Sequence, residues 1–352
     1  MSLFAGGGIG ETYLEDIGIH TEIANEMLKE RADIYQYRYP TTNMICGDIK
    51  EKKEELIKLA REKEVELLIA TPPCQGMSVL GKKDYQGDER NYLIFDVFDI
   101  IDALDFNYIF IENVPKFLKM YYPYGVDNTP TLLPNILKDK YSSKYEIKCG
   151  VYDAANYKVP QRRKRTIIRM WKKGLLWEDP HKEEQYITLR EAIGDLPSLE
   201  SGEDSGIKWH KASKISNRYI EMLKHVPTGK SAHENPIWYP TKEDGTRVKG
   251  FANTYRRLEW DKICPTRTMN SGNVSGSNNV HPGRAYIDER TGETLYSDAR
   301  TLTLLELLIV TSLPRDIDLP QDTKESVIRD IIGEGVPPKM SKAFLEQIID
   351  NK

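Results

Sequence analysis

Cysteine is scarce in this chain. Its four cysteines, Cys46, Cys74, Cys149 and Cys264, are scattered through 352 residues, with no C-x-x-C pair and no histidines at metal-ligand spacing. That excludes a disulfide framework or a structural zinc as organiser of the fold, predicts no metal site, and fits a reducing cytosol. An excess of one charge is also missing. Fifty basic residues stand against 54 acidic ones, a net charge of -4, so any anion-binding face must arise from local clustering. No apolar run is long enough to span a membrane, no signal peptide opens the chain, and no internal repeat is visible. A cytoplasmic protein of one large or two medium domains is expected.

What is present is organised around residues 67–78, Leu-Leu-Ile-Ala-Thr-Pro-Pro-Cys-Gln-Gly-Met-Ser. A short apolar strand ends at Pro72 and Pro73, which halt ladder pairing and deliver Cys74 into a polar loop. Read alone, Cys74 is either a small buried hydrophobe or a held nucleophile. Other segments bear on that choice. Leu3-Phe4-Ala5 followed by Gly6-Gly7-Gly8-Ile9-Gly10 reads as strand, tight turn and helix start. Residues 19–25 read as a second strand ending in Glu26, which is either a ribose-binding carboxylate or a helix N-terminal one. Residues 44–47 form a third strand ending at Asp48, 51–64 a charged helix, 92–104 another helix, and 108–111 a strand ending at Glu112. The alternation predicts an α/β fold, a parallel sheet with helices on both faces. It also sets three carboxylates and one thiol at the C-terminal ends of successive strands, where open α/β sheets bind ligands.

With these elements in order, the chain resembles the cytosine-C5 DNA methyltransferases. The matching stretches are 4–8, Glu26, Gly47-Asp48-Ile49, Pro72-Pro73-Cys74-Gln75, Glu112-Asn113-Val114, Gln161-Arg162-Arg163-Lys164-Arg165, Arg300-Thr301-Leu302-Thr303 with Glu306, and 333–338. Departures are Ser2 for the family's Asp, Ile9 for a second glycine, Glu334 for Asn and Ile309 for Arg. The resemblance implies a Rossmann-like S-adenosylmethionine-dependent methyltransferase sheet with a smaller irregular target-recognition domain. The expected division is residues 1–175 completed by 325–352 as catalytic domain, and 176–324 as recognition domain and hinge.

The implied chemistry suits these residue types. Cytosine C5 is a poor nucleophile; a Cys74 thiolate adding at C6 would make C5 enamine-like. Glu112 would serve as the acid at N3, its pKa raised by burial. The family pattern further implies Arg165 donating to O2 and Arg163 bracing the site, with phosphate binding as the alternative for Arg163. The cofactor would be S-adenosylmethionine, leaving as S-adenosylhomocysteine, at Phe4, Gly6, Gly8, Ile9, Glu26, Asp48, Ile49 and Pro72. Target cytosines are stacked inside a duplex and must be flipped out. The loop 75–90, with Gln75, Ser78, Lys82 and Lys83 as DNA contacts, reads as a lid, against the alternative of an ordinary solvent loop.

From about residue 172 the alternating pattern breaks down, as expected of a recognition region. Its DNA-facing residues would include Arg256 and Arg257, with Lys230, Arg247, Lys249, Tyr255, Arg267, Asn270, Ser271, Asn273 and Asn278 as further candidates. Residues 301–313 read as an apolar helix with a Thr303–Glu306 capping box, and 341–349 as a helix packing back beside the glycine loop. Double-stranded DNA is the expected substrate, within a restriction-modification system beside a cognate endonuclease or as an orphan methylase, and the protein is expected to be a monomer without membrane contact. Weighed against this are an RNA cytosine methyltransferase, a catalytically dead relative and a NAD enzyme. The last leaves Pro-Cys-Gln and Glu-Asn-Val unexplained.

Overall fold

The computed structural model describes residues 1–73 and 88–349. The chain divides into two compact units: Met1–Ala154, Lys164–Lys182 and Met340–Lys352 form the first, Ala155–Arg163 and Glu183–Lys339 the second. The tip of one hairpin and residues 325–339 thus fall in the second unit, where the sequence had suggested the first. Among the described residues, no helix is long and apolar enough to cross a membrane.

A seven-stranded mixed sheet carries the first unit. Its strands are β1 (Ser2–Leu3), β2 (Ile23–Glu26), β3 (Asn43–Cys46), β4 (Leu67–Ala70), β5 (Tyr108–Asn113), β8 (Tyr145–Asp153) and β9 (Lys164–Lys172), in the order β3-β2-β1-β4-β5-β9-β8. A separate hairpin, β6 (Tyr121–Tyr124) with β7 (Thr129–Leu132), lies between β5 and β8 in sequence. β1 to β5 pair in parallel, but β9 runs antiparallel between β5 and β8. The wholly parallel sheet expected from the alternation is corrected on this point. A short connection suffices to fold β8 back onto β9, whereas a parallel neighbour would need a crossover.

The helices α1 (Lys29–Arg38), α2 (Ile49–Glu62), α3 (Leu93–Ala103) and α4 (Leu133–Tyr141) follow the strands in turn. β5 shows how both faces are covered. Its Ile109 and Ile111 join an apolar core with Leu56 and Ile57 of α2, Val97 and Ile101 of α3 and Ile136 and Leu137 of α4. Phe110 points the other way, to Trp177 and to Phe344 of the C-terminal helix α9 (Pro338–Ile349). Trp177 Nε1 also donates to the Phe344 carbonyl at 2.8 Å. α9 reaches the segment after the glycine loop as well, Lys342 lying 3.3 Å from Asp16 and over the Tyr13 ring.

The second unit has little regular structure: helices α5 (Leu189–Ile193), α6 (Asn217–Lys224), α7 (Leu304–Val310) and α8 (Glu325–Glu334), and the hairpin β10 (Ala285–Ile287) with β11 (Thr294–Tyr296). Thr303 and Glu306 close a reciprocal capping box on α7, as expected. Gly333 lets α8 approach the backbone of residues 268–269, since a Cβ there would come within 2.5 Å of the Met269 nitrogen. A small apolar core around Leu223, Val226, Val274 and Val280 completes this unit.

Candidate active site

Because β1 to β5 are parallel and β9 reversed, the loop after β1, the ends of β2 to β5 and the start of β9 all gather at one sheet edge. Glu112 and Arg165 meet there. The Arg165 Nε lies 2.9 Å from Glu112 Oε1, with only 13% and 8% of the two side chains exposed. Pairing in the sheet favours this contact, because Glu112 opposes Ile167 and Arg165 lies two residues earlier in β9, on the same face.

Hydrogen bonds then fix the ends of β4 and β5, the first of them two residues ahead of Cys74. Asn113 Nδ2 donates to the Pro72 carbonyl at 2.9 Å, Thr71 donates its hydroxyl to the Phe4 carbonyl at 2.9 Å, and Thr166 donates to the Val114 carbonyl at 3.0 Å. Thr71, Asn113 in this role, and Thr166 were not singled out from the sequence. Asn113 was visible as the middle of Glu-Asn-Val, but its clamp on Pro72 needs the β4–β5 register to be seen. Cys74, Gln75, Ser78, Lys82 and Lys83 lie outside the described residues.

The glycine loop is held from α1. Arg38 donates to the Gly7 carbonyl at 2.7 Å and Tyr39 to the Gly8 carbonyl at 2.8 Å. Gly8 sits at φ 70°, and a Cβ there would collide with the Tyr39 and Tyr35 rings. A three-residue 3-10 turn, Ile9–Glu11, follows the loop in place of the expected helix start. Beneath it, Glu11 is buried and accepts from the hydroxyls of Ser2 at 2.7 Å, Thr21 at 2.9 Å and Tyr35 at 2.6 Å. Burial, with Glu11 nearby, pushes the Tyr35 phenol well up, and burial pushes that of Tyr39 up to about 12, so both stay donors. Glu11 was another residue missed in the sequence, where it reads as one acid among many.

Gly6 faces the other way. It adopts φ 57°, and an added Cβ would meet none of the described residues within 4 Å, so among them the loop borders open space. Its N–H donates to Glu26 Oε2 at 2.9 Å, while Leu28 N–H donates to Oε1 at 2.8 Å, which fixes the carboxylate and leaves each oxygen a further lone pair. Met27, 59% exposed, follows Glu26, and Cys46 is exposed nearby with its thiol 3.8 Å from the Met27 carbonyl. Asp48 caps α2 through the Lys50 N–H at 2.9 Å. Phe4 takes a left-handed φ of 58°, unusual for an aromatic residue and a conformation found at ligand-facing turns. Ile9 and Ile49 are packed inside, which limits them to an edge contact with any ligand.

Burial rules out one alternative and corrects one expectation. Arg163 is 2% exposed and donates to the carbonyls of Arg267, Gly333 and Glu334, so it braces the second unit and is not available to phosphates. Arg257 is fully buried and donates to the carbonyls of Leu223, His281, Tyr296 and Asp298, which removes it from any DNA face. Arg267, Tyr255 and Ser271 are interior for the same reason. Arg256 remains half-buried beside Glu234 at 3.4 Å; Lys230, Arg247, Lys249, Asn270 and Asn273 are exposed, and Asn278 is partly so.

Comparison with known proteins settles the class. Residues 1–350 match the C-5 cytosine-specific DNA methylase family. The chain belongs to that family. It is 45% identical to the Type II methyltransferase M1.HgaI of Avibacterium volantium, over 99% of this chain and 98% of that one. The Type II methyltransferase M1.HphI of Haemophilus parahaemolyticus is 25% identical over 99% of this chain and 86% of the relative. A prophage-encoded DNA modification methyltransferase from E. coli shares the fold, with a TM-score of 0.71 at 18% identity over 99% of this chain and 98% of that one. The protein is therefore a DNA cytosine-5 methyltransferase, and the RNA-directed alternative is not favoured.

Proposed function

We propose that the Glu112–Arg165 pair holds the target cytosine while Cys74 attacks it. The observation carrying this reading is the 2.9 Å contact between those two side chains at the sheet edge, next to the clamped Pro72 that precedes Cys74. The Cys74 thiolate adds to C6 and pushes electron density toward C5 and N3. Glu112 holds a proton at N3, lowering the cost of that charge, and Arg165 keeps the Glu112 carboxyl in place while donating to O2. After methylation the C5 proton leaves to water and Cys74 is expelled as the thiolate. The flipped base reaches this edge through the loop that begins at Gln75, with Ser78, Lys82 and Lys83 on the DNA.

Open space at Gly6 and the fixed Glu26 carboxylate suit S-adenosylmethionine, which when bound supplies the electrophilic methyl group. Glu26 would hold the ribose hydroxyls, Asp48 the adenine amino group, Phe4, Pro72 and the exposed Met27 the apolar faces, and Ile9 and Ile49 an edge. Residues Met1–Ala154, Lys164–Lys182 and Met340–Lys352 would form the catalytic unit and the remainder the recognition unit. Since the relatives are named as Type II enzymes, this protein would act in the bacterial cytoplasm, on a duplex site shared with a restriction endonuclease.

The test is a duplex carrying 5-fluorocytosine at the target. With S-adenosylmethionine present, it should trap the wild-type protein covalently through Cys74, and Cys74→Ala should lose both adduct and turnover while retaining S-adenosylhomocysteine affinity. An adduct that survives in Cys74→Ala would remove this thiol from the mechanism.

A further inference from the structure

Glu11 is a buried carboxylate that the chemistry above does not use. Only 6% of it is exposed, and its partners are hydroxyls. Ser2 donates to one oxygen at 2.7 Å; Thr21, at 2.9 Å, and the Tyr35 phenol, at 2.6 Å, donate to the other. Ser2 belongs to β1, Thr21 to the approach to β2 and Tyr35 to α1, so the carboxylate joins three segments under the glycine loop. The Glu11 N–H also donates to the Gly8 carbonyl at 3.3 Å, and the Tyr35 ring lies 3.0 Å from where a Gly8 Cβ would stand.

The basic groups around Glu11 are engaged elsewhere. Arg38 donates to the Gly7 carbonyl at 2.7 Å and to the Thr12 hydroxyl at 2.9 Å. The Met1 amino group donates to the Leu67 carbonyl at 2.9 Å, and burial pushes it down to about 5 against the pull of Glu11 and Glu22. Among the described residues no cation pairs with Glu11. Hydroxyls alone compensate a buried anion poorly. A purely structural tie needs no charge, because a neutral amide oxygen also accepts from hydroxyls at a smaller desolvation cost. What the ionised group adds is a field, felt strongly across a low-dielectric interior. The loop above it borders the open space at Gly6.

We propose that Glu11 biases this space toward a cationic cofactor through its charge, without touching it. S-adenosylmethionine carries a sulfonium; S-adenosylhomocysteine differs by one methyl group and that one charge, so the field favours the substrate and lets the product leave. The inference rests on the S-adenosylmethionine reading of this edge and gives it a specificity-determining residue. Calorimetric titration without DNA tests it, since binding alone is read. The ligands are S-adenosylmethionine, S-adenosylhomocysteine and sinefungin, which carries an ammonium in place of the sulfonium. Glu11→Gln should weaken both cationic ligands about tenfold and S-adenosylhomocysteine less than about twofold. Ser2→Ala and Tyr35→Phe, which each remove a hydroxyl and leave the charge, should shift all three ligands alike. If Glu11→Gln does not fold, Thr21→Lys, which keeps Glu11 and sets an ammonium beside it, should lower the same ratio about tenfold. An unchanged ratio of cationic to neutral affinity in the variant that folds would overturn the proposal and leave Glu11 a structural tie. Wild-type protein that binds none of the three ligands would overturn the cofactor reading itself, and this inference with it.

Discussion

Arginine does different work at the sheet edge and in the second unit. At the edge, Arg165 stands with its guanidinium on Glu112, where a substrate can reach the pair. In the second, Arg163, Arg257, Arg267 and Arg300 are all within 2% of complete burial, and all four donate to backbone carbonyls. The difference follows from secondary structure. A sheet satisfies its own carbonyls through ladders, whereas an irregular chain leaves buried carbonyls without partners. A guanidinium, with five donors in a rigid fork, can tie several of them together. Basic clusters in such a sequence therefore mark internal cross-links as readily as a DNA face.

That contrast can be broken most severely at its catalytic end. Glu112→Gln should cut single-turnover methyl transfer by about 10²–10⁴-fold, with S-adenosylhomocysteine affinity and melting temperature near wild type. An unaltered rate would show that the pair is structural, like its counterparts in the other unit. Arg300→Met should do the reverse. Arg300 is bidentate to Glu306 at 2.8 and 3.0 Å and reaches Asp298 at 2.8 Å, all three fully buried. Removing it strands two carboxylates and should cost about 3–5 kcal/mol, read by denaturant unfolding.

The same cluster sets a pH dependence of stability. Burial, reinforced by the Arg300 charge, pushes the His281 imidazole from 6.5 down to about 3. For Glu306 burial works upward, yet His281 and Arg300 prevail and hold it down to about 2 from 4.5. Asp298 is likewise held below the carboxylate range against its burial, by His281 and Arg300. The unfolded chain therefore takes up protons first as the pH falls: the imidazole near 6.5, then the carboxylates. Stability should be full above about pH 6.5 and decline toward pH 3, each group adding up to about 1.4 kcal/mol per pH unit in its window. His281→Asn, whose amide oxygen can still accept the Gly283 N–H, should flatten the decline between pH 6.5 and about 4.5. An unchanged melting curve there would remove the imidazole from this account.

A smaller effect separates positioning from chemistry. Asn113→Ala deletes the bond to the Pro72 carbonyl and should cost about 1 kcal/mol of stability and about fivefold in kcat. KM for S-adenosylmethionine should be unmoved; a rise in KM without loss of kcat would place Asn113 with the cofactor loop instead.

What was legible in the sequence follows the same division. Strand ends announce themselves, because an apolar run of period two stops at a polar or proline residue; Glu26, Asp48 and Glu112 were found that way and lie at one edge. The reversal of β9 was not legible, since side-chain alternation is the same in either direction. Edge strand β8, Tyr-Glu-Ile-Lys-Cys-Gly-Val-Tyr-Asp, is half exposed and so lacks the apolar run that marks its neighbours. Glu11 and Asn113 act through contacts set by register, which no local pattern encodes. In the second unit the Thr303–Glu306 box was readable because both partners lie within one turn. The contacts of the buried arginines were not, because their partners are carbonyls up to 171 residues away.

Arg256 and Arg257 put the comparison in its sharpest form, two adjacent residues that sequence reasoning assigned alike to DNA. Arg257 holds four carbonyls in the interior, and burial pulls its guanidinium down to about 10. Among the described residues the Arg256 side chain reaches the edge of Glu234, at 3.4 Å, with about a third of it exposed. Arg256→Ala should leave unfolding free energy within about 0.5 kcal/mol of wild type, as an exposed ion pair contributes little. If Arg256 reaches a phosphate, the same change should lower the salt slope of DNA binding by about one unit. A large loss of stability with no change in slope would instead put Arg256 among the internal cross-links, and the boundary between the two uses of arginine would fall one residue earlier in the chain.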